Sequence, residues 1–263
     1  MSEVKDKIER RVQKAKISLM RNPKYALWSG IMMVGKTEVR DDVPTAYTNG
    51  RDEVYGRDFV ATLNDKELAF VILHENLHKA FRHLFIWRKL WEENPMLSNQ
   101  ACDHVINLML VESDPHETLL AMPRRDGKRI GVYDEQYKGM NAKQVFDLLK
   151  QEQESQEGGE GSGEGGGDGG FDEHGWADAK ELSEEEQKEL GKEIDRALRQ
   201  GQIAASKIAG KNGSSMDRAI GELLKPKVDW KAELREFVTS TCANKDASSW
   251  RKVNRRFIGG DLY

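Results

Sequence analysis

The sequence predicts an α+β fold in which helices dominate and a small sheet or hairpin is the minor part. Two long segments, 68–84 and 97–110, are mostly apolar, as expected of helices that face a core. The dipeptide Asn49-Gly50 lies between two short strand-like segments, 43–47 and 54–60, and this arrangement is typical of a β-hairpin. The expected architecture is therefore a set of helices packed around one hairpin.

The N-terminal region, residues 1–40, is predicted to form one or two helices. Its first 16 residues are charged throughout, which is typical of an exposed helix rather than a signal peptide. Breaks are expected at Asn22-Pro23 and Gly30, because proline and glycine disfavour the interior of a helix. The hairpin is predicted to follow these helices.

Beyond the hairpin, the two apolar segments are predicted to form helices that are separated at Asn94-Pro95. Residues 122–127 have the composition of a loop. Residues 141–151 are predicted to form a helix with Val145 and Leu148 facing inward. These elements complete the predicted core region.

Residues 151–170 contain nine glycines and six acidic residues, with no basic or apolar residue. Such a stretch cannot bury enough surface to offset the entropy of ordering, so it is predicted to be a flexible linker or a long surface loop. Further helices are expected beyond it, one with a capping box of Ser183 and Glu186 and another starting at Asp229. The predicted organisation is a core of residues 1–150, a linker of residues 151–170 and a C-terminal helical region of residues 171–263.

The most informative motif is His74-Glu75-Asn76-Leu77-His78, inside the first apolar helix. Residues four apart on a helix share one face, with Cβ atoms about 5–6 Å apart, so two imidazoles can each give a nitrogen to one Zn²⁺. Glu75 can then take a proton from a nearby water molecule. A buried helix rarely carries such side chains without a partner, and we interpret the motif as a metal site.

A zinc hydrolase needs a third protein ligand, and the second apolar helix offers a candidate. Asn99, Asp103 and Asn107 form an i, i+4, i+8 polar stripe along that helix. Asp103 is the favoured ligand and the neighbouring His104 is the alternative. The two asparagines are candidates for orienting Asp103, although a simple hydrogen-bond ladder also explains the stripe.

The remaining histidines and the oxyanion-stabilising group are less clearly indicated. His83 lies five residues past His78, about 140° around the helix, so it is expected to point away from the site if the helix continues. His116 lies in a loop-like stretch beside Pro115 and has no special context. The candidates for stabilising an oxyanion are Tyr47, Tyr133, Tyr137 and His174.

Composition excludes several classes of function. The 41 basic and 45 acidic residues are nearly balanced, so no nucleic-acid or anionic-membrane partner is expected. Two cysteines provide no disulfide framework, and a reducing, cytoplasmic location is the expectation. No apolar run approaches the length of a membrane span, so no membrane association is expected.

Several segments together resemble one family. They are residues 44–51, the set His74-Glu75-x-x-His78 with His83, the stripe from Asn99 to Asn107, residues 137–148, and residues 228–256. The family is the metallopeptidase-like domain of bacterial and phage proteins that also carry a C-terminal von Willebrand factor A-like domain. The resemblance covers nearly the whole chain outside residues 151–170. The chain departs from the pattern at Asn49, where many relatives have an acidic residue. Its last residues are expected to lie about where the A-like domain would begin.

The resemblance implies a zincin-like fold, a zinc site at His74, His78 and Asp103, and a protein or peptide substrate. The expected function is zinc-dependent peptide-bond hydrolysis, with Glu75 as general base. The alternative is a non-catalytic, metal-stabilised interaction module, for which the resemblance implies an AAA+ ATPase of the MoxR type or an A-like domain as partner. A general base favours hydrolysis, because a structural zinc site has no need of one.

A second histidine cluster lies beyond the glycine-rich stretch. The residues Asp172, His174 and Trp176 resemble a short Asp/His/Trp stretch of the family. If Phe171 and Trp176 dock on the core, His174 reaches the metal site as an additional ligand or an oxyanion donor. The alternative is an exposed histidine at the start of a helix.

Overall fold

The computed structural model describes residues 2–157 and 182–209, which lie within one compact unit, Met1–Glu222. The helices are α1 (Ser2–Arg21), α2 (Arg57–Thr62), α3 (Asp65–Ala80), α4 (His83–Ile86), α5 (Arg88–Glu93), α6 (Pro95–Ser113), α7 (Ala142–Glu157) and α8 (Glu184–Ala209). The strands are β1 (Thr37–Arg40), β2 (Ala46–Thr48), β3 (Glu53–Gly56), β4 (Arg124–Arg125) and β5 (Lys128–Arg129). Short 3₁₀ turns occupy Ala26–Trp28, Ile31–Met33 and Glu135–Tyr137. The predicted helix-dominated α+β class is confirmed.

The main sheet is small and mixed, with β3 in the centre. β1 runs parallel to β3, with Thr37 opposite Glu53, whereas β2 runs antiparallel, with Thr48 opposite the same residue. All four residues of β3 are buried. Strand β1 was not predicted, since its residues are mostly exposed and carry no apolar pattern.

The hairpin predicted at Asn49-Gly50 is confirmed, but its strands are shorter than expected. Gly50 adopts φ of +91°, a conformation that favours glycine. β2 begins only at Ala46, and the second half of the segment 54–60 is helical rather than extended. A helical turn buries the neighbours Phe59 and Val60 together, whereas a strand would point them to opposite faces.

Helix α3 is the central element of the core. It begins at a capping box, in which the Asn64 side chain accepts the amides of Lys66 and Glu67, and the Glu67 carboxylate accepts the amide of Asn64. Every residue from 68 to 80 is buried. The predicted burial of this helix is confirmed, and its polar side chains are enclosed along with the apolar ones.

Helices α6 and α7 pack against each other beside α3. Pro95 opens α6, with Asn94 as the N-cap residue. Val145 is buried, as predicted, and Leu148 is partly buried against the same apolar cluster. Helix α7 extends to Glu157, which corrects its predicted end at residue 151.

Helix α8 begins as predicted, with Glu186 accepting a hydrogen bond from the Ser183 amide at 2.8 Å. The predicted helix from Asp229 and the cluster around His174 lie outside the described residues, as do residues 158–170. Within residues 2–157 and 182–209, no helix has both the length and the apolar character needed to cross a membrane.

Two glycines allow α8 to pack directly on the 3₁₀ turns near the N-terminus. A Cβ atom on Gly30 would lie 1.9 Å from the carbonyl oxygen of Ala197, and one on Gly201 would lie 1.9 Å from that of Leu27. Such distances are far inside van der Waals contact, so only glycine fits at both positions. The glycines therefore set the position of α8 on the core.

Candidate metal centre

His74 and His78 of α3 face Asp103 of α6 across the interface between the two helices. The Nε2 atoms of the histidines lie 3.1 Å apart. The Oδ1 atom of Asp103 lies 3.3 Å from Nε2 of His78 and 3.6 Å from Nε2 of His74. All three residues are at most 1% exposed. The fold therefore brings together the three predicted ligands.

The hydrogen bonds around His74 indicate which of its nitrogens carries the proton. The Asn107 amide nitrogen donates to the carbonyl oxygen of Val132 at 2.8 Å, so the Asn107 amide oxygen faces Nδ1 of His74 at 2.9 Å. An acceptor oxygen requires an N–H opposite it, which assigns the proton of a neutral imidazole to Nδ1. Nε2 of His74 then presents a lone pair beside the other two ligand atoms.

The separations between these atoms fit a tetrahedral zinc ion. Zinc bonds of about 2.0–2.2 Å place two ligand atoms of a tetrahedron about 3.3–3.6 Å apart. The observed distances of 3.1, 3.3 and 3.6 Å are close to that range. Two imidazoles with one carboxylate also suit zinc better than magnesium or calcium, which prefer oxygen ligands. The residues present therefore fit the metal that the motif predicts.

Glu75 follows His74 on α3 and is completely buried. A step of one residue turns an α-helix by about 100°, so Glu75 projects to one side of the histidine pair. Its place in the motif is that of a general base, and this role stays a prediction.

A comparison with protein families agrees with this geometry. A family model described as "putative metallopeptidase domain" matches residues 7–262. The chain belongs to this family. No curated protein and no solved structure gives a significant match. The family description and the geometry thus both indicate a metal site, and the family description does not specify which metal it holds.

In this domain the condition under which His83 would point away from the site is not met, because α3 does not continue to it. The helix stops at Ala80, and Arg82 adopts φ of +54° and ψ of +38°. His83 then begins α4, and its Nδ1 atom lies 3.3 Å from Nδ1 of His78. The sequence carries no glycine or asparagine at position 82 that would have signalled the left-handed turn.

His104, the alternative third ligand, lies outside the group of converging ligand atoms. Its ring packs edge-on against Tyr137, with ring centroids 4.6 Å apart, and its Nδ1 atom is buried without a hydrogen-bond partner. Burial lowers the pKa of His104. Its neighbour Asp103 is the residue that faces α3.

The two asparagines of the polar stripe have different positions. The Asn107 amide oxygen contacts Nδ1 of His74, and the Asn107 amide nitrogen donates to the carbonyl oxygen of Val132. Asn99 lies one turn before Asp103 and is half-buried. The stripe therefore includes the ligand candidate Asp103 and, in Asn107, a residue that contacts the ligand candidate His74.

The other candidates are placed as follows. His116 is exposed, and Tyr47 is half-buried on β2. The hydroxyls of Tyr133 and Tyr137 donate to Glu135 and Glu152, each at 3.3 Å. His174 lies outside the described residues. The structure therefore singles out no oxyanion-stabilising group among the described residues.

Proposed function

We propose that the protein is a zinc-dependent peptidase, in which His74, His78 and Asp103 hold the metal and Glu75 is the general base. The observation that carries the proposal is the convergence of two imidazole nitrogens and one carboxylate oxygen beside a buried glutamate. The family description supports a peptide bond as the substrate. Among the described residues three ligand candidates converge, which is the number typical of a catalytic zinc site, whereas structural sites usually have four.

The proposed mechanism assigns a separate task to each side chain. A bound zinc ion would supply Lewis acidity, which polarises the peptide carbonyl and makes water more acidic. Asn107 keeps the ring of His74 oriented with Nε2 toward His78 and Asp103. Glu75 accepts a proton on a carboxylate oxygen as the attacking water bonds to the carbonyl carbon. It returns that proton to the amine nitrogen as the C–N bond breaks, and the carboxylate is regenerated.

The proposed binding site for the substrate backbone is strand β2. It lies at the edge of the main sheet and packs against α3. Among the described residues no strand pairs with the other edge of β2. An extended peptide could add to that edge through main-chain hydrogen bonds, which would place it along the helix that carries the site.

The test compares the full chain with Glu75→Gln, loaded with zinc, on a proteome-derived peptide library whose new N-termini are identified by mass spectrometry. The glutamine variant is expected to bind one zinc per chain and to lose cleavage by about 10²–10⁴-fold, because an amide cannot accept the proton. Glu185→Gln, at an exposed position on α8, is the matched control and is expected to cleave like the wild type.

Equal cleavage by the wild type and Glu75→Gln would overturn the role of the general base. If the zinc-loaded wild type cleaves nothing in the library, the metal site belongs to an interaction module instead. If the wild type binds no zinc, the proposed function fails as a whole.

A further inference from the structure

The two histidines of the site are each contacted on Nδ1, the nitrogen that faces away from the other ligand atoms. For His74 the partner is the amide oxygen of Asn107, and for His78 it is Nδ1 of His83 at 3.3 Å. The rings of His78 and His83 are nearly perpendicular, with an angle of 85° and centroids 5.0 Å apart. Both histidines therefore have a neighbour that can set the orientation of the ring.

The direction of the hydrogen bond between the two rings follows from the ligand atom. If Nε2 of His78 gives its lone pair to a cation, the proton of the neutral imidazole is on Nδ1. Nδ1 of His83 must then accept that proton, and His83 carries its own proton on Nε2. An acceptor in this position fixes both the tautomer and the ring orientation of a metal ligand.

The contact depends on a backbone turn that is rarely adopted by arginine. In a continuous helix His83 would lie about 140° around the axis from His78. The left-handed conformation of Arg82 ends α3 and starts α4 in a new direction, which returns His83 to the site. Such a conformation persists only where the surrounding structure holds it.

Helix α8 supplies that support through the side chain of Arg82. The guanidinium donates to the carbonyl oxygen of Gly191 at 2.7 Å and pairs with the carboxylate of Asp195. The guanidinium is planar and has several donors, so it can bind a carbonyl and a carboxylate together. The charged pair is stronger than a neutral hydrogen bond. The turn at Arg82 is thus bound to α8, a helix that follows the glycine-rich stretch in the sequence.

We propose that His83 is a positioning residue for the metal ligand His78, and that α8 holds His83 in place through the pair of Arg82 and Asp195. Residues after the glycine-rich stretch then contribute to the geometry of a site whose ligands all precede it. The inference rests on the metal site of the proposed function, but it does not depend on peptidase activity.

The first test replaces His83 in the full chain and measures zinc affinity by competition with a chromophoric chelator. His83→Phe keeps an aromatic ring but removes the acceptor, and zinc affinity is expected to fall about 10–100-fold. His83→Asn keeps an acceptor near the position of Nδ1, as Asn107 does for His74, and should retain most of the affinity. The absorption bands of the Co²⁺-loaded protein, which report ligand geometry, should shift in His83→Phe only.

The second test leaves the site itself unchanged. Asp195→Asn is expected to weaken zinc binding by up to about tenfold and to shift the cobalt bands in the same direction as His83→Phe. Glu193→Gln is the matched control, because it removes the same charge from the same helix and its partner is Arg51 instead. This control should match the wild type in both measurements.

The outcomes separate the two proposals. If wild type binds zinc and His83→Phe binds it equally tightly with unchanged cobalt bands, the positioning role is overturned while the proposed function stands. If His83→Phe does not fold, Asp195→Asn decides by the same measurements. Equal behaviour of Asp195→Asn and Glu193→Gln would overturn the contribution of α8. A wild type that binds no metal would overturn both proposals.

Discussion

Helix α3 carries two buried polar clusters, and consecutive residues belong to different ones. His78 faces His74 and Asp103, whereas Lys79 pairs with the carboxylate of Glu53. Lys16 lies 3.3 Å from the same carboxylate, which also accepts a hydrogen bond from the Tyr55 hydroxyl at 2.7 Å. We call the group of Lys79, Glu53, Lys16 and Tyr55 the ion cluster.

The ion cluster contains partners of both signs. Glu53 accepts from two ammonium groups and one hydroxyl, and Lys79 also donates to the carbonyl oxygen of Val34 at 3.0 Å. Burial lowers the pKa of Lys79, and the charge of Glu53 opposes that shift. Donors and acceptors are thus matched inside the protein, and no external ion is required.

The metal centre differs in kind. Its three ligand atoms are all electron-pair donors, and they lie within 3.1–3.6 Å of one another. A cation bound there, as we propose, would accept all three lone pairs, whereas the ion cluster is satisfied by groups of the protein itself. Burial of polar groups is therefore a weak indicator of function, and convergence of like electron-pair donors is a stronger one.

The largest expected effect is on stability, when the ion cluster loses its anion. Glu53→Ala leaves Lys79 fully buried without its counter-charge, and the expected cost is about 3–5 kcal/mol of unfolding free energy. Urea denaturation of the metal-free protein measures it. Glu38→Ala, on the exposed strand β1, is the matched control and should change stability by less than about 0.5 kcal/mol. Similar values for both variants would contradict the assigned role of the ion cluster.

Removing the carboxylate of the metal centre should affect zinc affinity more than the stability of the metal-free protein. Asp103→Ala removes a proposed ligand, so it is expected to lower zinc affinity by more than about 100-fold. This loss exceeds the loss of about 10–100-fold expected when a side chain that only orients a ligand is removed. In the metal-free protein it should cost less stability than Glu53→Ala, because no buried cation is left behind. His104→Ala, one residue further on α6, is expected to keep the metal. The reverse result would make His104 the ligand.

A smaller loss is expected from the amide that orients His74. Asn107→Leu removes the acceptor for Nδ1, and zinc affinity should fall by about 10–100-fold. Asn107→Asp keeps an oxygen acceptor but cannot donate to the carbonyl of Val132, so it separates the two hydrogen bonds. Chelator competition should show near wild-type affinity for Asn107→Asp. Equal losses in both variants would assign the effect to the contact with Val132.

The ligand candidates could be predicted from sequence because each rests on the period of a single helix. His74 and His78 share a face of α3, and Asp103 belongs to a polar stripe on the mostly apolar α6, which indicated that this stripe faces a polar partner. The capping box predicted at Ser183 and Glu186 was also a local signal. The candidates that converge in the structure were therefore those whose sequence signal spans only one or two helical turns.

The missed features depend on contacts between distant positions. The turn that brings His83 to the site is held by Arg82 and Asp195, which are 113 positions apart. The pair of Lys79 and Glu53 spans 26 positions and depends on where β3 lies against α3. Neither residue type nor spacing signals such a pair in a single sequence. From sequence alone, a lysine next to the motif cannot be distinguished from an exposed lysine, because its burial depends on the position of the sheet.

The smallest expected effect concerns a further buried carboxylate, whose hydrogen bonds come from peptide amides and a hydroxyl. The partly exposed ammonium group of Lys24 lies 3.8 Å from its Oδ1 atom. Asp114, just after α6, is desolvated, which alone would raise its pKa. It also accepts the amides of Leu119 and Leu120 and the Thr118 hydroxyl, and the net pKa is lowered to about 2. A carboxyl with a lowered pKa stabilises the fold above its unfolded pKa of about 4. That contribution is lost as the pH falls from about 5 towards 2, and it amounts to about 2 kcal/mol.

Asp114→Asn should therefore remove about 2 kcal/mol of stability at pH 6 and flatten the acid dependence between pH 5 and 3. Urea denaturation at several pH values measures both effects. Asp126→Asn is the matched control, because Asp126 is exposed in the turn between β4 and β5, where asparagine tolerates the positive φ. A wild-type pH profile in Asp114→Asn would show that the peptide amides do not hold this charge.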